Sequence, residues 1–323
     1  MDGKIKFPIS ALNLNYTFNG GQAFRWKCLE DNSWIGVFAH RIWKLRQDEE
    51  YINFEAVKSS NTPEEDEAAL LIDYFRLNEP LNELYDEWAK CDPIFSEAAK
   101  KFTGVRMLRQ EPIENIFTFI CSSNNNISRI KSMVEKMCTF YGSEIGVVDE
   151  VKYYDFPVVE NLAKSSVLND LQKAAFGYRA KFIQQAASKI VEFGGHDWIN
   201  ELKKLPYDEA KIELMKLPGI GAKVADCICL MSLDHLEAIP VDTHVFQIAT
   251  KYYLPHLKNV KSVTNRVYNE IGDHFRTMYG KYAGWPHCVL FCGELKIFQD
   301  SPTEKRKKPE QLKPKKHKKT KVS

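Results

Sequence analysis

The sequence predicts an α+β fold: a small N-terminal antiparallel β-sheet domain with helices over residues 1–111, an all-helical domain over 112–300, and a disordered basic tail over 301–323. Three observations carry this. Short stretches alternating apolar and polar residues, separated by turn residues, run to about residue 57. Apolar residues recur at helical spacing from about residue 112. After Phe298 the composition collapses to Lys, Pro, Glu and Thr, too polar to bury a core.

In the first stretch Phe24, Trp26 and Cys28 fall to one side, and Tyr51-Ile-Asn-Phe54 is similar. Gly20-Gly21 and Asp31-Asn32 supply turns, so a sheet with one covered face is expected. Thr62-Pro-Glu-Glu65 reads as a capping box with proline at the first helical position. Leu81, Leu84, Tyr85 and Trp88 then recur at helical spacing. Ile127, Ile130, Met133, Val134 and Met137 form a second stripe, and Phe182, Ile183, Ala186 and Ile190 a third. No internal repeat is visible.

With 323 residues, 44% hydrophobic, the chain can bury a substantial core. Met1 to Ser10 lacks a signal-peptide core and no apolar run reaches membrane-spanning length, so a soluble intracellular protein is expected, with no membrane partner. The eight cysteines show no repeated short spacing of a zinc site, and reduced thiols with no metal are the expectation. Net charge is +2, but residues 301–323 hold ten Lys/Arg against two Glu. The remaining 300 residues carry 35 basic and 41 acidic groups, so the body is acidic. Any nucleic-acid binding by that body would require a local patch and aimed backbone groups rather than bulk charge.

Such a patch is legible in Leu217-Pro-Gly-Ile-Gly-Ala-Lys-Val-Ala-Asp226. A helix ending near Lys216 meets Pro218, Gly219 and Gly221 permit a tight reversal, and a second helix starts near Ala222. Bare backbone N–H groups at that helix start bind phosphate without net positive charge. An ordinary interhelical turn would look the same, but Lys223 sits in the first helical turn, where a cation is least welcome. Cys227 and Met231 follow at i+4 and i+8 on its face. Asp242, in Pro240-Val-Asp-Thr-His244, precedes a helical run from Val245 to Tyr253. It is a natural N-cap, and also the carboxylate that a nucleophilic amine needs nearby. His244 fits a phosphate contact or an ordinary surface position equally. Asn124 to Asn126 alone would read as a helix-start cap.

Those two segments together resemble the helix-hairpin-helix glycosylase superfamily. Gly20-Gly-Gln-Ala-Phe-Arg-Trp26, Ile120-Cys-Ser-Ser-Asn-Asn-Asn-Ile127, Gly177-Tyr-Arg-Ala180, Val224-Ala-Asp-Cys-Ile-Cys-Leu-Met231 and Tyr282-Ala-Gly-Trp285 narrow the resemblance to the eukaryotic 8-oxoguanine DNA glycosylases. It runs in order from about residue 10 to 298. The resemblance implies a TBP-like N-terminal domain, a helix-hairpin-helix glycosylase domain, no cofactor, and monomeric action on duplex DNA containing 8-oxoguanine, and formamidopyrimidine lesions, opposite cytosine. Lys223 would attack C1′ and cut the strand by β-elimination, and Asp242 would stabilise positive charge on the sugar. Gly21 would accept from the N7–H that distinguishes the oxidised base. Pro240, Cys227, Met231 and Phe291 would line the base pocket. Asn124, Asn125, Arg129 and Arg179 would face the opposite strand and the stranded cytosine, and Tyr178 would wedge into the stack. Gly219, Gly221 and His244 would contact the DNA backbone.

One position departs. Where the family usually carries a glutamine to read the base edge, this chain has His287. A neutral histidine offers one donor and one acceptor on a rigid ring, so excision is expected to weaken below roughly pH 6.5, where an ordinary ring gains its second proton. An endonuclease III-like pyrimidine glycosylase and a non-catalytic damage reader are the alternatives. Only Cys288 and Cys292 follow Asp242, too few for the four-cysteine cluster that endonuclease III relatives often carry, and the pairing of Lys223 with Asp242 speaks against a mere reader. Lys305-Arg-Lys-Lys-Pro309 and Lys313 to Lys319 read as a nuclear-import signal or a DNA-tethering arm, giving a nuclear location with a mitochondrial pool as the alternative.

Overall fold

The computed structural model describes residues 2–59, 62, 64–295 and 298. The basic tail and the import signal read from it lie outside these residues. Five strands form one antiparallel sheet: β1 (Asp2–Lys6), β2 (Lys27–Cys28), β3 (Trp34–Phe38), β4 (Arg41–Gln47) and β5 (Tyr51–Lys58), in the order β1-β5-β4-β3-β2. Helix α1 (Leu14–Asn19) follows β1, and α2 (Glu67–Tyr74) follows β5. Phe18, Trp26, Trp34, Trp43, Leu45, Phe54, Leu71 and Phe75 pack together on one face. Gly36, paired with Trp43, makes this possible, because a Cβ there would lie 2.4 Å from the Trp26 ring.

Helices α3 (Leu81–Cys91), α4 (Pro93–Lys101), α5 (Pro112–Ser122) and α6 (Ile127–Tyr141) come next, then strands β6 (Glu144–Val148) and β7 (Val151–Tyr154). The chain continues through α7 (Val159–Ala163), α8 (Ser166–Lys173), α9 (Arg179–Phe193), α10 (His196–Leu202), α11 (Tyr207–Leu214), α12 (Ala222–Ser232), α13 (Thr243–Ile248), α14 (Asn265–Tyr279) and α15 (Gly284–Glu294). One large core unites α3 and α4 with the later helices, from Trp88 and Phe95 to Ile228 and Trp285. The three predicted apolar stripes lie on α3, α6 and α9, although Ile127 is exposed.

Three expectations need correction. The sheet is covered on both faces: Ile35, Val37 and Ile42 are buried against Ile145 of the β6–β7 hairpin, with Val148 and Tyr153 beside it. The continuous apolar run Trp34-Ile-Gly-Val-Phe38 is the pattern of a strand buried on both sides. Phe24 and Trp26 do not share a face, since both precede β2: Phe24 packs edge-on to Phe119 in the helical core, while Trp26 stacks on Phe18. Finally, α2 starts at Glu67, not at the Thr62 box, because Asp66 accepts hydrogen bonds from Ala68 and Ala69 and caps it instead.

All eight cysteines are free. Among the described residues no helix is long and apolar enough to cross a membrane.

Candidate active site

Helices α11 and α12 form the predicted hairpin. Gly219 has φ +87°, and a Cβ there would lie 2.8 Å from Phe182 of α9, so glycine alone fits both the turn and the contact. Gly221 precedes α12 with open space beside it and no side-chain cap, so no side chain takes up the first N–H groups of α12. Lys223 follows as the second residue of α12, within its first turn. Its Nζ lies 3.5 Å from Ser122 Oγ and 5.1 Å from the centre of the Phe119 ring, both on α5. The Ser122 hydroxyl donates to Phe119 O at 2.7 Å, which leaves its lone pairs for the amine.

Around this amine the predicted groups converge. Asp242 caps α13, accepting from His244 N (2.9 Å) and Val245 N (2.8 Å), behind the buried Pro240 and Val241. Burial pushes the Cys227 thiol up to about 11; Lys223 opposes the rise and Asp242 adds to it. The thiol is therefore neutral. The buried His287 ring feels the same two charges. Desolvation dominates and pushes it down to about 4, with Asp242 opposing and Lys223 reinforcing. This speaks against the acid limb near pH 6.5 expected from an ordinary ring, because burial favours the neutral imidazole well below that value. Its Nδ1 lies 3.8 Å from Cys288 Sγ, and its Nε2 has no hydrogen-bond partner among the described residues.

Phe291 stands one turn beyond His287, their ring centres 6.4 Å apart. His244 meets Phe291 edge-on at 5.5 Å, so this histidine packs against the aromatic wall rather than sitting free on the surface. On the other side is Gly21, φ +80°, where a Cβ would come within 3.1 Å of the Phe291 ring. The loop is locked by its neighbour. Gln22 Oε1 accepts from Leu108 N (2.9 Å), and its Nε2 donates to Arg106 O (2.7 Å) and Thr17 O (3.2 Å). Met231 closes the rear: its carbonyl accepts from Gln110 N at 2.7 Å, and the Gln110 amide reaches Gln22 O.

A second cluster adjoins the first through Ser122. Asn124 is exposed with φ +52°, and the exposed Tyr178 donates to Ser123 O at 3.0 Å. Arg179 is buried and donates to Ser123 O and Asn124 O, with its guanidinium 4.6 Å from the Tyr178 ring centre. It therefore props the Asn124 turn from beneath. Asn125 Nδ2 donates to Cys121 O at 2.9 Å, and Asn126 is the residue that caps α6. Exposed Arg129 donates to Ala175 O at 3.1 Å.

Residues 4–116 match the family described as 8-oxoguanine DNA glycosylase, N-terminal domain, and residues 117–272 match the HhH-GPD superfamily base excision DNA repair protein family. The chain belongs to the 8-oxoguanine DNA glycosylase family. It is 40% identical over 295 residues to the N-glycosylase/DNA lyase OGG1 of Arabidopsis thaliana, covering 90% of this chain and 80% of that one. It is 35% identical over 325 residues to the N-glycosylase/DNA lyase of Saccharomyces cerevisiae, covering 91% and 86%. The 8-oxoguanine glycosylase/lyase of Clostridium acetobutylicum, solved with double-stranded DNA containing cytosine opposite 8-oxoG, superposes with a TM-score of 0.78 at 27% identity over 91% of this chain and 97% of that one.

Several residues that build this glycosylase's site escaped sequence reasoning. Ser122 and Phe119 hold the amine, and their signal was only a position before the asparagine triplet. Gly284 lets α15 close on the loop ahead of Asp242, since a Cβ there would lie 2.4 Å from Leu230 and 2.5 Å from Ala238 O. A glycine opening an apolar helix was the available clue.

Proposed function

We propose that this enzyme excises 8-oxoguanine, and formamidopyrimidine lesions, from duplex DNA opposite cytosine and then nicks the abasic strand. The observation that carries the reading is the Lys223 amine at the hairpin, flanked by Asp242, Cys227 and His287 and backed by Phe119 and Ser122. Phosphate on the uncapped N–H groups near Gly219 and Gly221, with His244 nearby, holds the backbone. The damaged base leaves the stack, an extrusion costing a few kcal/mol, and Tyr178, Asn124, Arg129 and Arg179 support the space and cytosine left behind.

In the pocket the Phe291 ring walls the base while the carbonyl of Gly21, a residue that lies against the edge of that ring, accepts its N7–H. An undamaged guanine presents an acceptor there and is repelled. Pro240 and Met231 complete the lining, and the unpartnered His287 Nε2 meets the base edge. As the glycosidic bond breaks, its electron pair leaves with the base, which takes up a proton; the Lys223 lone pair forms the new bond to C1′. Asp242 stabilises the positive charge that develops on the sugar. Ring opening gives the imine, loss of a C2′ proton follows, and the 3′ phosphate departs with the C3′–O bond pair. An amine attacks only in its neutral form.

The two-unit division at residue 111 and action as a monomer belong to the same proposal, as does a nuclear location set by the basic tail. Lys223→Gln is expected to abolish both base release and borohydride trapping of an enzyme–DNA adduct. Retained trapping would identify another nucleophile. Asp242→Asn is expected to slow single-turnover base release while damaged-DNA binding persists, and an unchanged rate would reduce Asp242 to a helix cap.

A further inference from the structure

A buried polar chain ties the helix bearing Lys223 to the loop bearing Asp242. Asp226 lies one turn after Lys223 on α12 and is fully buried. Its carboxylate accepts from Tyr207 Oη (2.7 Å), Lys211 Nζ (2.9 Å) and Tyr268 Oη of α14. Tyr268 Oη also lies 3.3 Å from Val241 N and 3.2 Å from Ile239 O, which flank Pro240.

The hydroxyl has one proton and three polar neighbours. A charged carboxylate outcompetes a neutral carbonyl for it. With the proton directed at Asp226, the oxygen lone pairs face the Val241 N–H, and the chain runs Val241 N–H to Tyr268 O–H to Asp226. Both ends matter. Lys223 and Asp226 share one rigid helical turn, and Val241 is bonded directly to Asp242. The far side of the same loop is fixed by the α13 cap, so Asp242 is pinned from before and after.

We propose that Tyr268, oriented by Asp226, is a positioning residue that sets the Asp242 carboxylate relative to the Lys223 amine. This rests on the reading that Asp242 assists base release. Removing the hydroxyl leaves the buried Val241 N–H unpartnered, and relaxation of the 239–241 backbone moves the carboxylate. Tyr207 is the internal control. Its hydroxyl donates to the same Asp226 carboxylate and makes no hydrogen bond to residues 239–241, and Tyr207→Phe keeps its ring packing on His235, so a merely stabilising network would feel the loss of that hydroxyl just as strongly.

The test is single-turnover base release from a duplex carrying 8-oxoguanine opposite cytosine, with duplex affinity and thermal midpoint measured in parallel. Tyr268→Phe is expected to slow release by about ten- to a hundredfold, the scale of a displaced catalytic group, with affinity retained. Tyr207→Phe is expected to lower the midpoint while leaving the rate near wild type. In an Asp242→Asn background Tyr268→Phe should cost nothing further, because it acts through that carboxylate. If Tyr268→Phe does not fold, Asp226→Asn takes its place in the same cycle with the same expectation. A Tyr268→Phe loss that persists in full beside Asp242→Asn, or an equal loss from Tyr207→Phe, overturns the proposal. Wild-type release by Asp242→Asn alone overturns the reading of Asp242 and this proposal with it, and the single variant distinguishes that failure from the others.

Discussion

His287 gives the enzyme a pH-dependent component of stability that its replacement by glutamine removes. Burial lowers the ring from an ordinary 6.5 to about 4, with Asp242 and Lys223 the charges facing it. The unfolded chain takes the proton first, so this contribution is complete above pH 6.5 and is lost as pH falls toward 4. At pH 5 an unfolded histidine is almost fully protonated and the buried one about a tenth so, which works out to a loss of about 2 kcal/mol relative to pH 7.5. His287→Gln has nothing to protonate. Asp242 and Lys223 stay in place, so their effects largely cancel in the comparison. Urea unfolding of both proteins at pH 7.5 and pH 5.0 gives four free energies, and the wild type should lose about 2 kcal/mol more than the variant between the two conditions. The ratio of their excision rates should hold constant down to about pH 5. Parallel stability curves, or a wild-type-specific fall in excision near pH 6.5, would refute a dry, neutral imidazole at this position.

Other perturbations follow from the geometry. Gly219→Ala places a Cβ at 2.8 Å from Phe182 in a left-handed residue, and should cost about 2 kcal/mol in denaturant unfolding and weaken binding to undamaged duplex. Gly21→Ala meets Phe291 at 3.1 Å and should cost only about 1 kcal/mol, yet depress single-turnover excision far more than duplex affinity. Gln22→Ala strands the buried Leu108 N–H and Arg106 carbonyl, and a loss of about 3 kcal/mol measured by urea unfolding is expected.

The hairpin and the Asp242 cap were legible in the sequence because each rests on local chemistry. Pro218 cannot continue the preceding helix, Gly219 and Gly221 permit the tight reversal, and an Asp ahead of a helical run caps it wherever the rest of the chain lies. Local propensity misled at Thr62, where Asp66 supplied a competing cap four residues on. The β6–β7 hairpin was hidden in a segment read as helical, and with it the second covered face of the sheet. At the site, residue types announced the amine and its acid but not their supports. Arg179 was expected to face the stranded cytosine, and its burial with bonds to Ser123 O and Asn124 O adds a part in bracing the turn that residue type did not announce. For His287, sequence supplied the identity and the fold supplied the dielectric; its protonation follows from the second.

Gly21 touches Phe291 across two hundred and seventy positions of chain, while Lys223 and Asp242 arise within twenty of each other. On the function proposed above, choosing the lesion and severing its bond fall to distant stretches of polypeptide that meet only after folding. A fragment beginning after residue 111 would keep Lys223 and Asp242 while forfeiting Gly21, the carbonyl proposed to tell oxidised from ordinary guanine. Under that proposal fidelity depends on the whole molecule being assembled, since a partly folded chain would carry the reactive group without its discriminating partner.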